Sequence, residues 1–417
     1  MSHRTLTDKL AGVKPGTLFV GVDLGLDHNT AVVLAQRGRP LASFRFSNCR
    51  EGYDYFYRRL DALQERQQAP AVWVGMEPTN YFWKLPAADM ERHRPAYSYR
   101  LVNALTVKKH REGDQLDRSK DDLRDAFTIG DLLRTGKFTT TQLLQGGYAQ
   151  LREYVALCDR LGRDIRRQKT LIHTIAGQVY PELGQVFKDW TGQTALALLR
   201  SHAAAGDIQR LPLPAFLRDV RGQRPDQRLR LSKLQQAHAL AQTSVGLKEG
   251  TLALQLSMRQ HIETLELLQR QRKEACAAMS EVFLALPEAP YMLSVRGLGP
   301  LSAAVILSEI GDPSRFRQAR QLVKLAGLQP VPNTSGRKCR SRTPISHQGR
   351  TRMRTALFYT VLRLIQIDPA FARHYRHLQQ REHNPLLKMQ ALVVLMNKLL
   401  RILWALMRQQ TYYISGF

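Results

Sequence analysis

Acidic residues are missing from one long stretch of this chain. Between Pro313 and Ile367 there are 12 Lys or Arg and no Asp or Glu. So much uncompensated positive charge requires negative charge from another molecule, and nucleic-acid phosphate is the obvious source. We therefore expect the C-terminal third of the chain to contact a polyanion.

Cysteines are few and none of them forms a CxxC pair. The four lie far apart, at Cys49, Cys158, Cys276 and Cys339. This spacing argues against a zinc site and against a disulfide framework, and the histidines are equally scattered. A reducing cytoplasm is the expected compartment.

Long apolar runs are also missing. The best candidate, Ala391 to Met407, is interrupted by Lys398 and Arg401. It falls short of the ~20 uncharged apolar residues of a membrane span, so an amphipathic helix is predicted instead. The polar N-terminus lacks the apolar core of a secretory signal, and no membrane partner is expected.

The composition that remains is that of a basic globular protein. The chain has 417 residues, of which 43% are hydrophobic, and this is enough for two or three domains with real cores. The net charge of +27 recurs along the chain instead of forming a tail. An extended polyanion is therefore favoured over a small acidic substrate.

Strand patterns dominate the N-terminal part, predicted as a domain over residues 16–138. Apolar segments of strand length occupy residues 17–24, 30–35, 41–46, 71–76 and 97–102, and helices are predicted at 51–68 and from about 120 to 133. The order is β-β-β-α-β-(α)-β followed by a helix. That order predicts an α/β fold with an antiparallel start, preceded by a flexible lead-in over residues 1–15.

The rest of the chain is predicted to be helical. Long amphipathic helices are expected over residues 142–180 and 225–284, within a helical, coiled-coil arm that covers residues 139–288. They could form an antiparallel hairpin or a dimer arm, and periodicity does not choose between the two. A third, mostly helical domain is predicted over residues 289–417.

Four carboxylates in the N-terminal part are candidates for a metal site. Asp23 lies in an apolar strand, Glu77 directly follows another, and Asp122 and Asp125 share a helix face. Clustered carboxylates repel one another, so a divalent cation such as Mg²⁺ would bring them together. The alternative is that these residues only end a strand, cap a turn and solvate a helix; Asp121 is the residue most easily confused with Asp122.

A glycine-rich turn stands between two helical stretches of the C-terminal domain. Gly297-Leu298-Gly299-Pro300 has the pattern of a helix-hairpin-helix turn, whose backbone N–H groups can hold a phosphate. Arg296 beside it favours this interpretation. An ordinary junction between two helices is the alternative.

One serine stands inside the basic loop. Ser335 precedes Gly336, and cations follow it at Arg337, Lys338, Arg340, Arg342, Arg350, Arg352 and Arg354. A serine hydroxyl is a weak nucleophile unless a base or a metal activates it. Most serines of this kind only hydrogen-bond to the backbone, so the residues alone do not identify Ser335 as catalytic.

Taken together, these segments resemble a known family. Val20-Gly21-Val22-Asp23, Gly75-Met76-Glu77-Pro78-Thr79 and residues 120–126 resemble the RuvC-like DEDD domain of bacterial insertion-sequence transposases that are guided by a bridge RNA. Residues 294–312, 324–328, 333–338 and 345–349 resemble the C-terminal transposase domain of that family. The resemblance covers nearly the whole chain.

The resemblance implies roles for the candidate residues. Asp23, Glu77, Asp122 and Asp125 would be the DEDD set that binds Mg²⁺ or Mn²⁺ in an RNase H/RuvC-like domain, and Ser335 would be the nucleophile that attaches to DNA. The expected partners are donor and target DNA, a structured noncoding RNA and further copies of the chain in a dimer or tetramer. The chain departs from the family pattern at Asp121, where Thr is usual, and at His347, where Lys is usual.

Two other functions stay open at this point. A RuvC-like metal-dependent nuclease or Holliday-junction resolvase would use activated water and leave Ser335 inert. A non-catalytic scaffold for DNA or RNA would need neither Asp23 nor Glu77. A trapped covalent complex between protein and DNA would separate the recombinase from both.

Overall fold

The structure is a computed structural model, and it divides into two units. It describes residues 9–78, 81–114, 121–139, 143–331 and 343–416, without the side chains of 111–114, and the backbone alone at 334–335 and 338–339. The first unit ends at Leu143 and the second begins at Leu144. The arm and the C-terminal part, predicted as separate domains, both lie in the second unit, and the boundary between them stays a prediction.

The first unit is a sheet with helices on both faces. Its strands are β1 Leu18–Asp23, β2 His28–Leu34, β3 Pro40–Ser47, β4 Val72–Met76 and β5 Ser98–Leu101. Its helices are α1 Arg50–Arg66, α2 Lys84–His93, α3 Ala104–Asp114 and α4 Asp122–Arg134. The predicted strands are confirmed within a few residues, whereas α3 was not predicted.

The strand order is β3-β2-β1-β4-β5. The first three strands pair antiparallel, and β4 and β5 run parallel to β1. This arrangement confirms the antiparallel start. It also places the C-terminal ends of β1 and β4 next to each other at one edge of the sheet.

Successive side chains of β1 point to opposite faces of the sheet and belong to two separate hydrophobic cores. Val20 and Val22 pack with residues of α1, whereas Phe19 packs with residues of α4. Leu10 also packs on the α4 side, so the prediction of a flexible lead-in was wrong for this part of residues 9–15. Buried on both faces, β1 and β4 are held firmly in register.

The second unit is built from helices. In chain order these are α5 Gly146–Val179, α6 Leu183–Val186, α7 Gln193–Ser201, α8 Ala205–Gln209, α9 Leu213–Gly222, α10 Leu231–Ala241, α11 Thr251–Leu284, α12 Ala289–Leu293, α13 Pro300–Ile310, α14 Ala319–Leu325, α15 Thr351–Ile367, α16 Pro369–Gln380 and α17 Lys388–Gln409. Two short strands, β6 Thr334–Ser335 and β7 Lys338–Cys339, lie between α14 and α15.

Helices α5 and α11 pack antiparallel within the chain. The thiols of Cys158 and Cys276 lie 3.4 Å apart, and Gln168 contacts His261 at 2.8 Å. The residue numbers of the contacts increase along α5 while they decrease along α11, so the two helices run antiparallel. Of the two arrangements that the sequence allowed, the structure therefore has the hairpin within one chain. Helices α6 to α10 form a second core at its far end.

The prediction of one helix over residues 225–284 was wrong. The chain leaves α10 at Ala241 and enters α11 at Thr251. A Cβ at Gly246 would lie 2.2 Å from the carbonyl oxygen of Val179, so backbone meets backbone there. Gly250 has a φ of 70°, a left-handed conformation that glycine adopts without strain.

Helix α17 is central to the C-terminal core. Leu395, Leu399 and Leu403 are fully buried in this core, and α17 packs against α15, α14 and α12. Among the described helices, α17 alone has the length and apolar character needed to cross a membrane. In this fold, its apolar side is covered by the protein.

Candidate active site

Two carboxylates leave the sheet at the ends of neighbouring parallel strands. Asp23 is the last residue of β1, and Glu77 follows Met76, the last residue of β4. The register pairs Val22 with Met76, so Asp23 and Glu77 come next at the same level. The parallel register of β1 and β4 therefore places the ends of these two elements next to each other.

Both carboxylates belong to the face that α4 covers. Side chains alternate along a strand, so Asp23 shares the face of Phe19, and Glu77 shares the face of Trp73. Phe19 and Trp73 both pack with Ile129 of α4. Asp23 and Glu77 are therefore on the α4 side of the sheet.

Glycine allows the backbone of α4 to lie directly on β1. A Cβ at Gly21 would lie 1.9 Å from the carbonyl oxygen of Ala126 and 2.4 Å from the nitrogen of Gly130. At Gly75 of β4, a Cβ would lie 3.1 Å from Ile129. The close approach leaves no room for a side chain at Gly21.

An ion pair shows where the first turn of α4 lies. Asp23 pairs with Thr30, and Thr30 pairs with Arg45 on β3, so all three form one row across the sheet. Nη2 of Arg45 lies 3.5 Å from Oδ2 of Asp122. The first turn of α4 therefore reaches the row that contains Asp23. We call Asp23, Glu77, Asp122 and Asp125 the acid edge.

The aspartates at the start of α4 differ in their surroundings. Asp125 is buried, with 6% exposure, whereas the side chain of Asp122 is 53% exposed. Asp121 caps the helix, because its Oδ1 accepts a hydrogen bond from the nitrogen of Leu123 at 3.1 Å. Asp121 thus has a structural role of its own.

The donor set of the acid edge fits a hard divalent cation in its chemistry and its backbone placement. Asp23, Glu77 and Asp125 come from three elements and supply only oxygen ligands. Within the described residues, however, no three Asp, Glu, His or Cys side chains are grouped closely enough to hold a metal ion as they stand. Asp23, Glu77 and Asp125 each have a partner within the chain. Side-chain rotation would be needed to form the site.

The segment around Ser335 rises from a paired base. The nitrogen of Val331 donates to the carbonyl of Pro344, and that of Ser346 donates to Gln329, both at 2.9 Å. Pro330 and Ile345 form an antiparallel bridge. The segments 325–331 and 343–350 therefore pair as the two sides of a hairpin base, and we call the range 325–350 the serine hairpin.

Two glycines close the base of the serine hairpin. A Cβ at Gly349 would lie 2.4 Å from the nitrogen of Gly327 and 2.4 Å from the carbonyl oxygen of Leu325. Gly327 itself has a φ of 68°. These glycines belong to the two short segments, 324–328 and 345–349, that the sequence singled out separately. The fold brings the two segments into backbone contact.

The tip of the hairpin is described only in part. Ser335 of β6 pairs antiparallel with Lys338 of β7, and the structure describes only the backbone of both. Arg337, Arg340 and Arg342 lie outside the described residues. The predicted roles of these four cations and of Ser335 stay predictions.

Two open clefts flank α14 beside the hairpin base. One has a volume of about 520 Å³ and contains Lys324 and Arg350, and the other has about 560 Å³ and contains Arg320, Lys324 and Arg401. Every charged side chain that lines them is basic. The described surface next to the serine hairpin is therefore suited to anions.

The arginines that follow the hairpin contact the protein itself. Nε of Arg350 lies 3.5 Å from Oε2 of Glu309, and Nε of Arg352 donates to Oδ2 of Asp159 at 3.0 Å. Arg354 donates to a backbone carbonyl at 2.9 Å. These three predicted phosphate ligands thus have intramolecular partners in this structure.

Glu309 was missed by sequence reasoning. It is 8% exposed near the end of the apolar helix α13. Arg152 of α5 donates to the backbone carbonyls of Ser308 and Glu309, and burial lowers the pKa of its guanidinium, with the nearby Arg350 adding to the effect. The signal was a single carboxylate in an otherwise apolar helix. This cluster ties α5 and α13 to the start of α15.

The glycine turn before α13 has an open backbone. Gly299 is the N-cap of α13, Pro300 is its first residue, and no heavy atom of the described residues lies within 4 Å of a Cβ built on Gly299. Gly297 has a φ of 108°. Arg296 is exposed beside them. Phosphate binding at this turn stays a prediction.

Comparison with known proteins adds two family matches. The family described as "Transposase IS116/IS110/IS902 family" matches residues 289–376, from α12 into α16. The DEDD transposase family of IS110 elements, described as "Transposase", matches residues 20–181, from β1 to the end of α5. One match contains the acid edge, and the other contains the serine hairpin.

Several curated proteins are similar to the chain over different lengths. The "Mini-circle putative transposase for IS117" of Streptomyces coelicolor is 26% identical over 88% of this chain and 88% of its own length. The "Insertion element IS116 uncharacterized 44.8 kDa protein" of Streptomyces clavuligerus is 25% identical over 95% and 96%. The "Pilin gene-inverting protein" of Moraxella bovis is 31% identical over 29% of this chain and 37% of its own length.

Proposed function

Because the chain belongs to the IS116/IS110/IS902 family of transposases, we propose that it cuts and rejoins donor and target DNA through a phosphoserine at Ser335. Enzymatic cleavage and rejoining of DNA follows from the family. The observation that carries the finer proposal is the division of chemistry: one matched region holds carboxylates at a sheet edge, and the other holds a hydroxyl on a basic hairpin.

The acid edge is the proposed metal site of an RNase H/RuvC-like domain. The sheet order, with its antiparallel start and α4 lying on β1, supports this assignment. Asp23, Glu77, Asp122 and Asp125 would hold Mg²⁺ or Mn²⁺, with Asp122 released from Arg45. When bound, the ion would polarise a phosphoryl oxygen and favour ionisation of a nearby hydroxyl.

Ser335 is the proposed nucleophile. Its hydroxyl gives up a proton as Oγ attacks phosphorus in line, and the bond from phosphorus to the leaving nucleotide oxygen breaks. That oxygen gains a proton and becomes a free hydroxyl. The phosphoserine ester preserves the energy of the broken bond, so a hydroxyl from the second DNA can reverse the step without ATP.

The basic residues around Ser335 would balance the charge of the reacting phosphate. Arg337, Lys338, Arg340 and Arg342 follow Ser335 closely in sequence, and cationic donors placed where charge develops stabilise a transition state. The basic clefts beside α14 support binding of further phosphates.

A bridge RNA and a second copy of the chain complete the proposal. Two DNA duplexes have four strands to exchange, so a dimer or tetramer is expected. Base pairing with a guide RNA would supply sequence choice, and the protein would then contact mainly backbone, sugar and helix shape. The net charge of +27 supports protein contacts that are mainly to the phosphate backbone.

Trapping of the covalent complex tests the proposal. We expect the chain, incubated with DNA of the element's ends, RNA transcribed from its flanking noncoding DNA and Mg²⁺, to yield a protein–DNA adduct that survives denaturation. Ser335→Ala should reduce the adduct below detection because the attacking oxygen is removed. The measurement is a shift of radiolabelled DNA on a denaturing gel.

Ser346→Ala is the matched control, since Ser346 lies on the base of the same hairpin. It should retain the adduct. Persistence of the adduct in Ser335→Ala would refute the assignment of the nucleophile. Cleavage with no adduct in the unmodified chain would favour the metal-dependent nuclease or resolvase, in which water attacks.

A further inference from the structure

Helix α16 presents a second cationic surface, apart from the serine hairpin. Arg373, Arg376, His377 and Gln380 follow one another at helical spacing and share one face. All four are exposed, and together they line an open cleft of about 440 Å³. We call this set the α16 face.

The opposite side of α16 is anchored in the core. Phe371 and Leu378 are buried in the C-terminal core. At the start of the helix, the buried Asp368 accepts hydrogen bonds from the nitrogen of Ala370 at 2.8 Å and from the hydroxyl of Tyr413 at 3.0 Å. The α16 face is therefore held outward on a fixed helix.

The charge on this face has no carboxylate partner among the described residues. Residues 369–417 contain seven Lys or Arg and a single acid, Glu382. Within the described residues, neither Arg373 nor Arg376 forms an ion pair with a carboxylate. The pKa of the neighbouring His374 is lowered by burial and then by the positive charges of Lys398 and His377, as expected in a positive local potential.

The contrast with the run after the serine hairpin is direct. Arg352 contacts Asp159 at 3.0 Å, and its charge is already balanced. Arg373 and Arg376 have no carboxylate partner among the described residues, and Nε of Arg376 donates to the carbonyl of Ala372 at 3.5 Å. Their cleft also contains the His377 imidazole and the Gln380 amide. Guanidinium and amide donors in a concave surface suit the oxygens of a phosphodiester.

We propose that the α16 face binds the phosphodiester backbone of nucleic acid at a distance from the reacting bond. From Arg373 to Gln380 the helix rises about 10 Å, close to the axial rise of about three base pairs. The face is long enough for two neighbouring phosphates, one for each arginine. The proposal rests on the proposed function, in that it assigns a further contact to the same polyanion.

Salt dependence of binding tests the proposal. The probes are a 30-base-pair duplex DNA and an RNA hairpin of similar length, both of arbitrary sequence, with affinity measured by fluorescence anisotropy between 50 and 200 mM salt. In the Arg373→Gln/Arg376→Gln variant, the slope of log affinity against log salt should fall by about 2 for the probe that uses the face. A fall for only one probe identifies DNA or RNA as the occupant.

The charge-matched control is Arg218→Gln/Arg221→Gln on α9, where both arginines are exposed in the second unit. Its slope should match that of the unmodified chain. An unchanged slope in the α16 variant for both probes would overturn the proposal, and so would an equal fall in the control.

A thermal melt of both variants keeps the test interpretable. Because the four substituted arginines are exposed, both variants should melt as the unmodified chain does. Adduct formation by the unmodified chain is scored separately. No adduct from the unmodified chain, together with the expected fall in slope for the α16 variant, counts against the nucleophile alone. A normal adduct together with an unchanged slope for the α16 variant counts against the α16 face alone.

Discussion

The acid edge and the serine hairpin both depend on a contact between backbones, but they are assembled over different lengths of chain. At the acid edge, Gly21 of β1 meets α4, more than a hundred residues further along. At the serine hairpin, Gly327 meets Gly349 within one local segment. The first site needs the whole sheet, whereas the second needs only closure of its base.

This difference determines what can displace each site. A slip of β1 by one residue would move Asp23 to the other face of the sheet, because side chains alternate. Burial on both faces of β1 prevents such a slip. The hairpin base is held by a few hydrogen bonds and a glycine pair, so its disturbance should remain local.

Removal of one charge at the acid edge should have the largest effect on activity. We expect Asp23→Asn to slow adduct formation roughly 100- to 1,000-fold, because loss of a metal ligand removes several kcal/mol of transition-state stabilisation. We also expect Mn²⁺ to raise the melting temperature of the unmodified chain and to leave that of Asp23→Asn unchanged. Adduct kinetics and a melt with and without Mn²⁺ provide the two measurements.

Asp27→Asn is the control, since Asp27 is exposed in the turn after β1. It should behave as the unmodified chain in both measurements. Equal loss in the two variants would point to general electrostatics instead of a metal ligand. Full activity of Asp23→Asn would remove the acid edge from the mechanism.

The glycine contacts should show the next largest effects, and these effects should differ in extent. Gly21→Ala and Gly349→Ala each force a Cβ into backbone atoms and should cost about 1–3 kcal/mol or more. Hydrogen exchange should rise across the strands of the first unit for Gly21→Ala. For Gly349→Ala, it should rise only over residues 325–350.

Gly177→Ala in α5 is the control, because in the part of the chain that the structure describes nothing lies within 4 Å of a Cβ at this position. It should stabilise the chain by about 0.5–1 kcal/mol, as expected for alanine in a helix interior. A rise in exchange throughout the second unit for Gly349→Ala would contradict a locally closed hairpin.

The smallest effect concerns acid stability of the first unit. Burial alone would raise the pKa of Asp89, but hydrogen bonds from Tyr57 at 2.6 Å and Arg50 at 2.8 Å outweigh it and lower the pKa below 3.8. A carboxyl with a lowered pKa stabilises the fold above its unfolded-state pKa and loses that contribution as the pH falls through the folded-state pKa. Below about pH 4, the unfolding free energy of Asp89→Asn should therefore fall less steeply with pH than that of the unmodified chain.

Urea unfolding at pH 3 and pH 7 measures this effect, and hydrogen exchange assigns it to the first unit. The serine hairpin should show no change between the two proteins. A Tyr57→Phe variant should weaken the same acid dependence, since it removes one of the hydrogen bonds. If Asp89→Asn loses as much unfolding free energy between pH 7 and pH 3 as the unmodified chain, then other groups control the acid dependence.

Local patterns predicted most of the first unit. The strands read from apolar runs lie within a few residues of β1 to β5, because β-strands on a two-layer core require continuous or alternating apolar side chains. Helix α3 escaped prediction because its sequence has little amphipathic character. The break between α10 and α11 escaped because Gly246 and Gly250 were not treated as helix-ending signals.

The candidate site was predicted unevenly. Asp23 was conspicuous as a charge in an apolar strand, and the sheet places Glu77 at the same level. The separate roles of Asp121 as a helix cap and of Asp122 as a partner of Arg45 are set by the tertiary structure. Asp121 and Asp122 differ in role because the unpaired backbone N–H groups of a helix lie in its first turn. Asp121, which precedes that turn, accepts a hydrogen bond from one of these groups.

By itself, the sequence determined the alternation that sends Asp23 and Glu77 to one face, and the excess of positive charge in the C-terminal region. Only the tertiary structure decided which of those charges are balanced. Arg352 lies beside Asp159, 193 positions away along the chain, whereas Arg373 and Arg376 face an open cleft. The energy between charges depends on their separation in space and on the surrounding solvent, and neither quantity can be read from positions along a chain.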